Sequence, residues 1–394
     1  ELEYNLSELA ELIKNTDKIP FGTVIQKRYP DINYLFGPGK IKEVKERAQT
    51  EYIEAVVFNQ ELSPRQVKAL EGALPGLEVW DRTQIILDIF GRRARSREGK
   101  IQVELAQLTY LYPRMLGLGG VLSRLGGGIG TRGPGETKLE EMRRFVRRRI
   151  KQLRDEEKEI KQSRTLLRKQ RQRSGIRTAA LIGYTNAGKS TLLNALSVSD
   201  HEVLAENRLF VTLDPVSRRV MLPSGREFLL SDTVGFVRDM PTRVQQAFRA
   251  TLEELTEADV LVEVIDITSP YRDEQEAAVE QVIKDLELEA KPRLRVYNKA
   301  DAWRQDFPLD GITVSARERI GLDQLLIDLD ELLYEGIEVR LLVPFSRLGE
   351  LGRLRPRLEV VNENYNDQGL DITVRGRIAD LQSLQDMMIP SLGE

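Results

Sequence analysis

Between residues 20 and 92, short apolar runs alternate with stretches in which apolar residues recur every three or four positions. Phe21–Ile25, Ala55–Phe58 and Leu77–Val79 predict strands, and Lys40–Ala48, Pro64–Gly72 and Thr83–Phe90 predict the helices that follow them. Ser63-Pro64 reads as a helix start, with a hydroxyl to cap the first turn and a proline where no N–H is needed. Strand–helix alternation of this kind predicts a small α/β domain with a parallel sheet, over residues 1–97.

The pattern then changes. Gly99–Arg114 is helical, with Ile101, Leu105 and Leu108 on one face, and Gly117–Gly135 is glycine-rich. From Glu136 a second helix carries Leu139, Met142, Val146, Ile150 and Leu153 as one apolar seam. Two helices joined by a flexible tip predict an antiparallel hairpin over 98–175, ended by Ser174-Gly175. A second α/β unit fills 176–335. Residues 336–394 predict strands at Val339–Val343, Arg357–Val361 and Asp371–Arg375, helices at Ser346–Gly352 and Ile378–Met387, and a turn at Asn366–Gly369. That order is the one expected of a small ferredoxin-like α+β domain.

Composition narrows the class. Of 394 residues, 41% are hydrophobic and 31% charged, enough for packed cores and against a disordered chain. The absence of cysteine excludes disulfides and thiolate chemistry, and the one histidine, His201, cannot build a multi-histidine metal site. No apolar run is long enough to span a bilayer, so a cytoplasmic protein is expected. The net charge is −3, yet Lys138–Arg173 holds fifteen Lys or Arg against six Asp or Glu. Such asymmetry points to a polyanionic partner for that segment. Arg143, Arg144, Arg147, Arg148 and Arg149 on the helix, with Arg124 and Arg132 in the glycine tip, are the candidate RNA contacts; a solvated helix face is the alternative.

The chemistry is concentrated in 176–335. Gly183-Tyr184-Thr185-Asn186-Ala187-Gly188-Lys189-Ser190 follows the apolar run Ala179–Ile182 and opens a helix with Thr191, the setting of a phosphate-binding loop. Lys189 supplies charge to the β- and γ-phosphates, and Ser190 a hydroxyl to Mg²⁺. Asp232-Thr233-Val234-Gly235 follows a predicted strand; Asp232 holds the metal through water and the Gly235 N–H reaches the γ-phosphate. Asn298-Lys299-Ala300-Asp301 follows Leu294–Tyr297, and the Asp301 carboxylate pairs with the N1–H and amino group of guanine. Adenine would leave that carboxylate unpaired. Ser315-Ala316-Arg317 places a backbone N–H near the guanine O6. Between these motifs, Phe210-Val211-Thr212 offers Thr212 as the threonine that meets Mg²⁺ and the γ-phosphate, unless it simply begins a strand. Lys189, Thr212 and Gly235 are thus the candidate catalytic groups. Phe236 stands where a glutamine often orients the attacking water, which predicts slow hydrolysis by the isolated protein; Arg208, Arg238 and Arg243 are candidate sources of transition-state charge or plain surface arginines.

A metabolic P-loop kinase or ATPase and a non-catalytic RNA-binding module are the other classes compatible with a phosphate loop, and the guanine-reading motifs speak against the first. In the N-terminal part, Gly37-Pro38-Gly39-Lys40 before a helix is either a second phosphate-binding turn or a plain one.

The whole chain resembles the HflX GTPases, a branch of the translation-factor-like P-loop GTPases. The resemblance lies in Ser123–Glu140, Glu61–Pro64, Asp81–Thr83, Gly99–Leu108, Asp232–Pro241 and Ala247–Glu254, beside the nucleotide motifs; Val211 departs from the small residue usual there. It implies a P-loop GTPase domain between an N-terminal α/β domain with a helical hairpin and a small C-terminal domain. It also implies GTP and GDP as ligands, Mg²⁺, and the large ribosomal subunit and its rRNA as partners. Ribosome-stimulated hydrolysis would then serve to split or rescue stalled or idle ribosomes under stress, with ribosome assembly or ATP- or GTP-dependent RNA remodelling as alternatives. Some relatives are associated with ATP at the N-terminal region, and a monomer is expected.

Overall fold

The computed structural model describes residues 2–27, 29–116, 134–173, 175–197, 210, 213–238, 240–241, 244, 249–303, 310–334, 337–355 and 358–376. They fall into two compact units. One comprises Glu1–Ile160, Glu206–Asp214 and Val237–Leu252; the other comprises Lys161–Ala205, Pro215–Phe236 and Glu253–Glu394.

In the first unit, α1 (Leu2–Lys14) and α2 (Pro38–Thr50) precede β1 (Ala55–Phe58), α3 (Pro64–Ala73), β2 (Glu78–Asp81), α4 (Arg82–Arg93) and α5 (Arg97–Leu116). Strands β1 and β2 pair in parallel, with Val56 opposite Val79. The predicted start of α3 holds: the Ser63 hydroxyl accepts from the Gln66 N–H while Gln66 Oε1 accepts from the Ser63 N–H, and Pro64 fills the first turn. Phe58, Leu62, Leu70, Leu74 and Val79 bury together with Ile41 and Val44 of α2.

Phe21–Ile25 is not a strand; it has no regular structure, and Phe21 and Ile25 are exposed. A short strand gains little from its own propensity, and with Phe21 and Ile25 in water and only Val24 packed on the neighbouring core, little offsets the entropy of straightening it.

Asp81 ends β2, caps α4 and is almost fully buried. It accepts hydrogen bonds from Leu62 N (2.9 Å), Gln84 N (2.8 Å), Tyr110 Oη (2.6 Å) and Arg114 (2.8 Å). Burial and the adjacent carboxylate push the Tyr110 phenol far above its ordinary range. Asp81 in the Asp81-Arg82-Thr83 motif is therefore an architectural hub joining sheet, α4 and α5.

The hairpin is present. Helix α6 (Pro134–Arg173) is 40 residues long, about 60 Å at 1.5 Å per residue. Arg143 donates to the Met115 carbonyl, Arg149 grips Glu104 bidentately at 2.6–2.7 Å, and Arg97 pairs with Glu156. Those pairings run in opposite directions along α5 and α6, as an antiparallel hairpin requires. Val146 and Leu153 of the predicted seam are buried, but Met142 is exposed. The Leu139 side chain lies outside the described residues.

The second unit is built on a six-stranded sheet from β3 (Arg177–Ile182), β4 (Val216–Met221), β5 (Glu227–Asp232), β6 (Val260–Asp266), β7 (Arg293–Asn298) and β8 (Ile312–Thr313). The order is β4-β5-β3-β6-β7-β8, with only β4 antiparallel to its neighbour. Strand β3 reads as a continuous apolar run because a central parallel strand is covered on both faces. Helices α7 (Lys189–Leu196), α8 (Arg249–Glu257), α9 (Arg272–Asp285) and α10 (Leu322–Tyr334) follow in sequence around the strands. Leu181, Leu192, Leu230, Leu325 and Leu329 are fully buried, each contributing about 1.5–3 kcal/mol.

Toward the C-terminus, β9 (Ile337–Val343), α11 (Leu348–Leu354), β10 (Glu359–Asn366) and β11 (Gly369–Gly376) form an antiparallel sheet in the order β10-β11-β9. The Asn366 side chain accepts from the N–H groups of Gln368 and Gly369, making the predicted hairpin turn. The first strand beside the third is the ferredoxin-like arrangement; Ile378–Met387 lies outside the described residues.

Candidate nucleotide site

The phosphate loop connects β3 to α7. Asn186 (φ 63°) and Gly188 (φ 94°) both adopt left-handed backbone, which curls the loop before the helix begins. A Cβ on Gly188 would collide with the Asn298 amide, so glycine is required both for conformation and for space. The Lys189 ammonium is buried and donates to the carbonyls of Gly183 (3.0 Å) and Tyr184 (2.9 Å). Burial lowers it to about 8, against the opposing pull of Asp232. Ser190 Oγ donates to Asp232 Oδ2 at 2.6 Å, so the two predicted metal-binding oxygens already meet. Thr191 follows in the first turn of α7.

Asp232, at the end of β5, is fully buried, and Thr233 Oγ1 donates to the Leu181 carbonyl at 2.5 Å, locking β5 to β3. Beyond buried Val234, Phe236 bridges in parallel to Tyr184: Thr185 N–H donates to the Phe236 carbonyl (2.8 Å) and Phe236 N–H to the Gly183 carbonyl (3.2 Å). The segment carrying Gly235 is thereby clipped onto the phosphate loop.

At the other end, Asn298 Nδ2 donates to the Ala187 carbonyl (2.9 Å) and Asn298 Oδ1 accepts from the Ala316 N–H (3.0 Å). Lys299 takes a left-handed backbone and pairs with Asp266 at 2.6 Å. The Ser315 hydroxyl donates to Asp301 at 2.6 Å, aiming one carboxylate oxygen, while Asp301 itself is exposed. Arg317 is exposed beside Glu318. Of the backbone N–H groups in Ser315-Ala316-Arg317, that of Ala316 is thus engaged by Asn298. Thr185, Lys189, Ser190, Asp232, Gly235, Asn298, Asp301 and Ser315 all belong to one unit, gathered at the C-terminal ends of parallel strands, where open α/β sheets bind ligands.

The profile described as "50S ribosome-binding GTPase" matches residues 178–299, "GTP-binding GTPase N-terminal" matches 3–91, and "GTP-binding GTPase Middle Region" matches 93–171. The chain is 47% identical over 378 residues to GTPase HflX of Caldanaerobacter subterraneus subsp. tengcongensis, covering 94% of this chain and 87% of that protein. The chain belongs to the HflX GTPases. Against HflX of Escherichia coli, identity is 38% over 373 residues, 91% and 86% of the two chains. Among solved structures, the SsGBP–GDP complex aligns with a TM-score of 0.47 and 25% identity over 84% of this chain and 96% of that one.

The remaining candidate residues of this HflX GTPase divide between described and undescribed segments. Phe210 is a core residue of the first unit, its buried ring edge-on to Phe90 at 4.8 Å. A left-handed φ of 56° turns it there. Val211, Thr212, His201, Arg208, Arg243, Arg124 and Arg132 lie outside the described residues. Within the arginine cluster, Arg143 and Arg149 are half-buried and spent on the hairpin, as described above. Arg144, Arg147 and Arg148 are exposed; Arg144 pairs with Glu140, and Arg147 stacks over Tyr112 at 5.7 Å. Lys40 is held by Glu43 at 2.9 Å, and Gly37 caps α2 without a side-chain hydrogen bond.

Sequence reasoning missed Asp214. Its carboxylate accepts from the N–H groups of Arg95 (2.9 Å) and Ser96 (2.7 Å) and from the Ser96 hydroxyl, capping the approach to α5. Only its place two residues after Thr212 drew attention to that segment; a partner 118 positions away leaves no local signal.

Proposed function

We propose that this GTPase binds the large ribosomal subunit in its GTP-bound form and is driven to hydrolyse GTP by that contact, splitting stalled or idle ribosomes. Phe236 carries the reading. It occupies the position after Gly235 at 1% exposure, its backbone clipped to the phosphate loop. A phenyl ring cannot orient water, and orientation supplies much of the acceleration in phosphoryl transfer. The missing group must come from a rearrangement or a partner.

The basic face of α6 supports RNA as the binding surface, since Arg144, Arg147 and Arg148 point to solvent where phosphates can reach them. Ser190 and Asp232 fit Mg²⁺: both offer hard oxygen donors, and they already approach to 2.6 Å. Ser190 would bind the ion directly and Asp232 through water; the bound ion neutralises charge on the β- and γ-phosphates. Lys189 holds those phosphates, Gly235 N–H faces the outer one, and Asp301 with Asn298 and Ser315 selects guanine.

The test is co-sedimentation with separated subunits in GDP or a non-hydrolysable GTP analogue, paired with phosphate release. Selective retention on the large subunit with the analogue, and release at least about tenfold faster than by free protein, are expected. Equal rates with and without subunits would reject activation by the ribosome.

A further inference from the structure

The hydroxyls around the nucleotide site are nearly all spoken for. Ser190 Oγ donates to Asp232, Thr233 Oγ1 to Leu181, and Ser315 Oγ to Asp301. Thr185, the third residue of the phosphate loop, differs. It is 5% exposed, and its Oγ1 is buried with no hydrogen-bond partner. Buried hydroxyls almost always find partners, so an exception in a binding loop calls for one supplied from outside the chain.

The position of Thr185 says which partner. Its N–H is pinned by the Phe236 carbonyl, which fixes its backbone against the segment carrying Gly235. A Cβ built on Gly235 would lie 2.7 Å from Thr185 Cα, 2.8 Å from Thr185 Cγ2 and 3.0 Å from Lys189 Nζ. The Thr185 methyl, the glycine and the ammonium therefore crowd one point, and the Thr185 hydroxyl branches from the carbon that carries that methyl. Lys189 and Gly235 are the two groups that the phosphate chemistry assigns to the outermost phosphate. A hydroxyl in their company has an anionic oxygen as its natural acceptor, and a hydrogen bond to a charged group is roughly twice as strong as a neutral one.

We propose that the Thr185 hydroxyl donates to a γ-phosphate oxygen and thereby distinguishes triphosphate from diphosphate. The inference rests on reading Lys189 and Gly235 as the γ-phosphate end of the site. GDP offers no such acceptor, so the contact is made only in the triphosphate state. Because the Phe236 carbonyl holds Thr185 in place, the segment that lacks a water-orienting side chain instead positions a phosphate-reading one.

Thr185→Val keeps the shape and removes the hydroxyl; Thr185→Ser keeps the hydroxyl. Dissociation constants for GDP and a non-hydrolysable GTP analogue, measured by calorimetry on the full chain, decide the matter. The valine variant should bind GDP within about twofold of the native protein and the analogue about 10- to 100-fold more weakly, with serine restoring the preference. Without nucleotide, the valine variant should melt no lower than the native protein, because it removes an unsatisfied buried group. An unchanged GTP-to-GDP preference, an equal loss for both nucleotides, or a lower melting temperature without nucleotide would each overturn the proposal. If valine is not accommodated, Thr185→Ala against Thr185→Ser poses the same question. Lys189→Ala should abolish binding of both nucleotides. Unchanged binding there would overturn the site reading itself, whatever Thr185 does.

Discussion

Asn298 Nδ2 donates to the carbonyl of Ala187 at 2.9 Å, joining the base-reading motif to the phosphate loop. The same amide accepts from Ala316 N–H, so one buried side chain holds three loops in register. Replacing Asn298 with alanine leaves a buried carbonyl and a buried N–H unpaired, at a cost of about 1–3 kcal/mol each. Affinity for GDP and for GTP should fall together, by about tenfold or more, in a calorimetric titration. A loss confined to GTP would contradict this bracing role.

Asp301 is aimed by the Ser315 hydroxyl. Asp301→Asn converts an acceptor pair into one acceptor and one donor, matching the edge of xanthine. Preference should move from guanosine to xanthosine nucleotides by about 100-fold in competition binding. A preference that stays with guanosine would exclude Asp301 as the base reader. Ser315→Ala should weaken guanine binding in the same direction but less.

Lys189 sets a pH dependence. Burial lowers its folded-state pKa from the ordinary 10.5 to about 8. Between those values the unfolded chain holds the proton and the folded one does not, so the nucleotide-free protein gains stability as pH rises from about 8 to 10.5. Phosphates require the charged form. Nucleotide affinity should therefore decline above pH 8, and binding at pH 8.5–9 should take up a proton, read as a dependence of the calorimetric heat on buffer ionisation. Heat independent of the buffer would place the lysine fully charged before binding.

The exposed and engaged arginines of α6 should separate in experiment. Replacing Arg144, Arg147 and Arg148 together with alanine should lower the slope of log affinity for RNA against log salt by about 2–3, and leave melting nearly unchanged. Arg149→Ala breaks the bidentate pair with Glu104, whose partners are 31% and 40% exposed, and should cost no more than about 1 kcal/mol of stability. Equal effects of both changes on the salt slope would mean that the hairpin pair opens in the RNA complex.

What was legible in the chain alone is what short-range geometry dictates. The phosphate loop declared itself because its glycines, lysine and serine must sit at fixed spacing between a strand and a helix. Ser63-Pro64 and Asn366–Gly369 did so because caps and turns are satisfied within three or four residues. Asp232, Asn298 and Asp301 were readable for the same reason: Asp232 and Asn298 each end a strand, and Asp301 follows three residues after Asn298 in the turn beyond it. The resemblance to HflX added the hairpin's setting and the direction of the functional reading.

Tertiary structure decided the rest, wherever the deciding partner is remote. Nothing local told Arg149, bound to Glu104, from exposed Arg148 beside it. Neither did local pattern show that Met142 faces water, that Phe210 packs on Phe90, that Phe21–Ile25 lacks a sheet to join, or that Asp214 caps a turn at Ser96. Spacing fixes which groups a segment presents; burial and hydrogen-bond choice depend on which distant surface arrives to meet them, and that is settled only when the chain closes on itself.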